Sequence, residues 1–247
     1  MLYYKKFGTN KKAAPLVLLH GWEGNWQSWL PIIERLKGDF VIYALDLPGF
    51  GLSKIKHPLD LSEYAKIINE FIKHLGVKPT IIGHSFGGSI TIKIASQYPD
   101  SIKNLVLVNS SGVRIKNPAI EVKRKVAHLA GILFSLPILN VFYRPLRSLV
   151  YHFWAKGSDY ESLSDNKNLK QTFLKILDED LTPVLGKIQT PTLIFWGKND
   201  QETSLFMADI LQRGIARSKL VVIPDAGHFS YLDSQEKFCE VLKEFLR

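Results

Sequence analysis

Six short aliphatic runs, Leu16–Leu19, Val41–Leu45, Thr80–Ile82, Leu105–Val108, Leu193–Trp196 and Leu220–Ile223, recur along the chain with helical periods between them. Runs of Val, Ile and Leu without polar alternation are what strands require when both faces of a parallel sheet are covered. The clearest intervening period is Leu61 to Leu75, where Tyr64, Ile67, Ile68, Phe71, Ile72 and Leu75 share one face, Asp60 stands at the capping position and Gly76 ends the helix. This alternation predicts an α/β fold with a doubly wound, mostly parallel open sheet, whose ligands sit beyond the carboxyl ends of its strands. Ahead of the first run there is room for a single further strand, Leu2–Phe7.

The alternation breaks once, after Asn109-Ser-Ser-Gly112, and resumes at Thr190-Pro-Thr-Leu-Ile194. Within the interval Val122, Val126, Leu129 and Leu133, then Phe142, Leu146, Leu149, Val150 and Phe153, recur at helical spacing, with Pro137 and Gly157 as breaks. The expected organisation is therefore a core of residues 1–112 and 190–247 with a helical cap inserted over 113–189, within the size of one large α/β domain at 247 residues.

Several function classes drop out. The apolar stretch Val126 to Tyr143 is interrupted by His128, Pro137 and Asn140, which opposes a membrane span. The start, Met1-Leu-Tyr-Tyr-Lys-Lys-Phe7, carries charge where a signal peptide needs an apolar run, so the expected address is cytoplasmic. Cys239 is the lone cysteine, so no internal disulfide is available and core filling on a C-terminal helix is its expected role. The net charge of +9 accompanies no nucleic-acid motif. Much of it is local: between Arg114 and Trp154 stand seven Lys or Arg against one acid, Glu121. That segment reads either as a solvated face or as a docking surface, with Arg114, Lys123, Arg124, Arg144 and Arg147 receiving an acidic acyl carrier protein or an anionic membrane surface.

Gly83-His-Ser85-Phe-Gly87-Gly88 follows one predicted strand directly and opens a predicted helix. A strand-to-helix reversal that tight strains the serine backbone, and glycines two residues to either side remove side chains that would clash. A hydroxyl is a poor nucleophile unless a base takes its proton, and a carboxylate must hold that base in one tautomer. Asp200 stands just beyond one late strand and His228 just beyond the next, giving the chain order Ser85, Asp200, His228; Asp225 and Asp178 are alternative acids. A tetrahedral intermediate needs two N–H donors, for which Phe86, after the serine, and Trp22, in His20-Gly-Trp-Glu-Gly24, are the candidates. His20 and His84 read as hydrogen-bonding neighbours, and the remaining histidines, His57, His74, His128 and His152, lack metal-ligand spacing, so neither metal nor cofactor is expected. Phe229, beside His228, and Trp154, in the cap, are candidate pocket residues, with plain packing the alternative for Trp154.

His20-Gly-Trp22, Asp46-x-x-Gly-x-Gly-x-Ser53, Gly83-x-Ser85-x-Gly-Gly88, Gly197-x-x-Asp200 and Gly227-His228 together resemble the α/β-hydrolase superfamily over essentially the whole chain. The resemblance is greatest to small carboxylesterases with His-Gly-Trp in the oxyanion loop, among them the pimeloyl-carrier-protein methyl esterases. It implies hydrolysis of a small-molecule ester through an acyl-enzyme on Ser85. Epoxide hydrolases and haloalkane dehalogenases of this fold are disfavoured, because they carry an aspartate nucleophile where this chain has Ser85. Lactonase, thioesterase, amidase and carbon–carbon bond hydrolase activity remain open to the same triad, as does a ligand receptor on the same fold.

Overall fold

The computed structural model describes residues 2–10, 13–114 and 166–247. All seven expected strands form, as β1 (Tyr4–Phe7), β2 (Leu16–Leu19), β3 (Ile42–Leu45), β4 (Thr80–His84), β5 (Asn104–Val108), β6 (Thr192–Gly197) and β7 (Ser218–Ile223). They build one sheet in the order β1-β3-β2-β4-β5-β6-β7, parallel except for β1, which runs antiparallel to β3 with Tyr4 opposite Leu45. The chain therefore winds outward from β2 in one direction to β3 and in the other to β4. Between β2 and β4 lies the switch point of a doubly wound sheet, where the loops beyond the strand ends splay apart and leave a crevice.

Helices cover both faces: α1 (Leu30–Leu36), α2 (Leu61–His74), α3 (Phe86–Gln97), α4 (Lys167–Asp178), α5 (Leu205–Gly214), α6 (Ser230–Asp233) and α7 (Gln235–Leu246). Alternate strand residues divide between the faces. Leu16, Leu18, Ile42, Ala44, Ile82, Val106, Val108, Leu193 and Phe195 pack in one cluster with Trp29, Ile32, Ile33 and Leu36 of the 26–36 segment and with Tyr231, Phe238 and Leu242 from α6 and α7. α2 and α3 pack on each other, and α3 lies along β4 and β5. Helix α2 starts where the sequence places it, because Asp60 accepts the Glu63 N–H while the Glu63 carboxylate accepts the Asp60 N–H, each at 2.9 Å. β7, expected to be buried on both faces, is the sheet edge, and most of its residues are only partly buried.

Contacts divide the chain into two compact units, Met1–Arg114 with Asn168–Arg247, and Ile115–Lys167. Most of the insertion expected over 113–189 lies outside the described residues. Its last part, from Asn168 onward, belongs to the first unit, because α4 is fastened there: Leu169 is buried, and the Thr172 hydroxyl accepts the Leu59 N–H at 2.9 Å. Among the described residues no helix is long and apolar enough to cross a membrane.

Candidate active site

Strand β4 ends in His84, α3 begins at Phe86, and the whole reversal falls on Ser85, at φ 49° and ψ −115°. Few L-residues occupy that region, so the turn persists only because its surroundings over-determine it. The Ser85 N–H donates to the Val108 carbonyl at 3.0 Å, and the Ser85 carbonyl accepts from the N–H groups of Gly88 and Ser111 at 2.9 and 3.1 Å. A Cβ on Gly83 would strike the carbonyl of Gly87, and one on Gly87 the carbonyl of Leu19. Gly83 is thus required for the elbow to close on itself, and Gly87 for it to lie against the end of β2.

Asp200 follows β6 and His228 follows β7, and adjacent parallel strands place the two side chains together. His228 Nδ1 lies 2.9 Å from Asp200 Oδ2. The same oxygen accepts from Asn109 Nδ2 and from the Thr203 hydroxyl, each at 2.5 Å, while Oδ1 accepts the N–H groups of Glu202 and Thr203 at 2.8 and 2.9 Å. Burial on its own would raise the Asp200 carboxyl, but the bonds from His228, Thr203 and Asn109 outweigh it and hold the group down at about 2. Asp200 is therefore a fixed anion that keeps a proton on Nδ1. The alternative acids lie elsewhere: Asp225 is exposed on its turn, and Asp178 lies 3.9 Å from the Arg114 guanidinium.

The far nitrogen, His228 Nε2, meets Glu202 Oε2 at 3.2 Å and makes no hydrogen bond with Ser85. The ring is tied to the elbow through its neighbour: His84 lies 4.8 Å from it, centroid to centroid, and His84 Nε2–H donates to the His228 carbonyl at 2.9 Å. Burial, reinforced by His228, pushes His84 down to about 3, so it stays neutral and serves as a donor. His20 is neutral for the same reason, lowered to about 4 by burial. Its Nε2 accepts the Leu47 N–H at 3.0 Å, which leaves Nδ1–H to donate to the Gly21 carbonyl at 2.7 Å. Because a trans peptide is rigid, fixing the Gly21 carbonyl also fixes the direction of the Trp22 N–H.

The Trp22 ring stands 5.0 to 5.1 Å from those of Phe50, Phe86 and Phe173, which makes an aromatic wall beside Ser85. Its indole nitrogen is buried and has no hydrogen-bond partner among the described residues. Phe229 is half-exposed, with its ring 5.4 Å from that of His228 and 5.1 Å from that of His84. Trp154, the other expected pocket residue, lies outside the described residues, as do Lys123, Arg124, Arg144 and Arg147. Among the described residues no group of three or more His, Cys, Asp or Glu is arranged to hold a metal.

The sequence reading missed Asn109, Thr203, Ser230 and Glu202. Asn109, at φ 42° beyond β5, donates to Asp200 and to the Gly227 carbonyl and accepts from the Ser230 hydroxyl, so it ties the acid loop to the histidine loop. The available signal was its position, just beyond a strand end at the point where the strand–helix alternation breaks.

The sequence profile of the α/β-hydrolase fold matches residues 14–235. The chain belongs to this family. It is a hydrolase. A pimeloyl-[acyl-carrier protein] methyl ester esterase of Vibrio parahaemolyticus is 27% identical over 99% of this chain and 97% of its own length. A monoacylglycerol lipase of Mus musculus is 26% identical over 94% of this chain and 75% of its own. Among solved structures, an esterase from Exiguobacterium antarcticum superposes with a TM-score of 0.75 at 26% identity, covering 99% of this chain and 95% of that one. Two relatives named for such different esters stand at almost equal identity, so identity alone does not choose the substrate.

Proposed function

We propose that the chain hydrolyses carboxylic esters through an acyl-enzyme on Ser85, with His228 as general base and Asp200 as the acid that orients it. The observation that carries this reading is the His228 Nδ1 to Asp200 bond, made to a carboxylate with five donors and set beside a serine on a strained elbow. His228 takes the Ser85 proton at Nε2 as the oxygen attacks the acyl carbon, then delivers it to the leaving alcohol as the tetrahedral intermediate collapses. A water, activated the same way, releases the acid. Nε2 must exchange Glu202 for Ser85 on the way, a tightening common when substrate enters. The oxyanion donors are the Phe86 N–H, in the first turn of α3 where no intrahelical acceptor exists, and the Trp22 N–H, held by His20. The wall of Trp22, Phe50, Phe86 and Phe173 suits an apolar acyl chain.

Ser85→Ala should lower turnover of a nitrophenyl ester by at least about a thousandfold without loss of folded protein, and a phosphonate should label Ser85 in the wild type. A variant retaining more than about a tenth of the rate would overturn the assignment. Tight binding of a small molecule with no turnover in the wild type would favour the receptor alternative.

A second reading gives the ester a carrier protein for its acyl half. The methyl ester esterase relatives support it, together with the basic run from Arg114 to Arg147, of which Arg114 alone is described. On that reading kcat/KM for a carrier-bound ester falls steeply with salt while a neutral nitrophenyl ester barely responds. Equal salt effects on both would return the basic run to a solvated face.

A further inference from the structure

We propose that Glu202 reads the leaving half of the ester and favours an alcohol that carries a positive charge over a neutral or anionic one. The inference rests on the assignment of Ser85 and His228 made above. Its starting point is the contact of 3.2 Å between Glu202 Oε2 and His228 Nε2, the nitrogen that hands the proton to the departing alcohol. To receive that proton, the leaving oxygen must come within about 3 Å of Nε2. The Glu202 side chain yields Nε2 to that oxygen, but its main chain stays bonded to Asp200, so its carboxylate remains within the screening length of about 10 Å at 0.1 M salt.

The arrangement is held at one end and open at the other. The Glu202 N–H donates to Asp200 Oδ1 at 2.8 Å, so its main chain is locked to the acid, while its side chain is 66% exposed and the His228 ring only 8%. Among the described residues His228 is the only ion-pair partner of Glu202. When Nε2 gives up its proton, the carboxylate is left facing a lone pair. A cation on the departing alcohol compensates that loss, a neutral alcohol does not, and an anionic one adds repulsion. The aromatic wall of Trp22, Phe50, Phe86 and Phe173 carries no charge, so the discrimination belongs to the alcohol half alone.

The test compares kcat/KM for three butyrate esters: choline, its uncharged isostere 3,3-dimethylbutanol, and glycolate. Each is measured on the wild type, Glu202→Gln and Glu202→Lys. For an exposed carboxylate at this range, the wild type should prefer the choline ester to its isostere by about three- to tenfold and the isostere to the glycolate by a similar factor. The preference should fall toward one in Glu202→Gln, invert in Glu202→Lys and shrink in the wild type at high salt. Because each value is a ratio within one enzyme, a partly folded variant does not disturb it, and a merely structural Glu202 would leave all ratios alike. Unchanged ratios alongside Ser85-dependent hydrolysis of the neutral ester would overturn the role of Glu202 and spare the triad. Failure to hydrolyse any of the esters, with no phosphonate label on Ser85, would overturn both.

Discussion

Ser85 at φ 49° and ψ −115° occupies the mirror image of ordinary extended backbone, a region open to glycine and strained for any residue with a Cβ. Ser85→Ala keeps that strain and Ser85→Gly releases it, so the glycine variant should be the more stable of the two by about 1 kcal/mol in urea unfolding. Equal midpoints would mean that the elbow stores no strain. Asn109 makes a different kind of case. Removing its amide strips Asp200 of a donor and leaves the Ser230 hydroxyl without its acceptor, so Asn109→Ala should cost about 1–3 kcal/mol of stability and cut turnover at least tenfold. Ser85, Asp200 and His228 were legible because each follows an aliphatic run, and a strand end is the one place where sequence order predicts position in space. Asn109 and Ser230 reach the same carboxylate network across 91 and 121 residues of chain, and no local pattern encodes that meeting. Glu202 lies two residues beyond Asp200, but whether its side chain turns toward the histidine is settled by loop geometry.

Strands and caps were readable for the same physical reason: they are local. Four buried aliphatic residues in β2, or the reciprocal Asp60 and Glu63 bonds that start α2, declare themselves within one turn or one strand. Helix α4 shows where that stops. Its period is plain, but the surface it covers is not: bonds and packing with residues of the first unit define it. The Thr172 hydroxyl accepts the buried Leu59 N–H, Lys175 Nζ donates to the Pro58 carbonyl at 3.1 Å, and Phe173 touches Trp22. Thr172→Val keeps the shape and removes the acceptor, so it should cost about 1–3 kcal/mol. Since Phe173 is the next residue, the same change should raise KM for long-chain esters more than it lowers kcat. An unchanged KM would separate α4 from the acyl side of the site.

At the scale of the whole molecule, the groups that shape the site also fix how the protein answers acid. His20 and His84 titrate at about 4 and 3 in the folded chain, far below the 6.5 of an exposed imidazole, because burial disfavours their charged forms. Below pH 6.5 the unfolded chain binds a proton at each of these histidines while the folded chain does not, so their contribution is complete above 6.5 and declines as pH falls toward 4 and 3. Asp200, depressed to about 2, adds a loss of the same sign from 3.8 downward. Between pH 6 and 5 the two histidines alone should lower the unfolding free energy by about 2 to 3 kcal/mol per pH unit. That slope is large against the usual 5–15 kcal/mol of a folded domain. Urea unfolding of the wild type at pH 7, 6 and 5 measures it, and His20→Gln should lose about half of it, since an amide can accept the Leu47 N–H and donate to the Gly21 carbonyl without titrating. A wild-type curve that stays level down to pH 5 would mean that His20 and His84 take up protons in place, and with them would go the neutral tautomers that aim the Trp22 N–H and hold the His228 carbonyl.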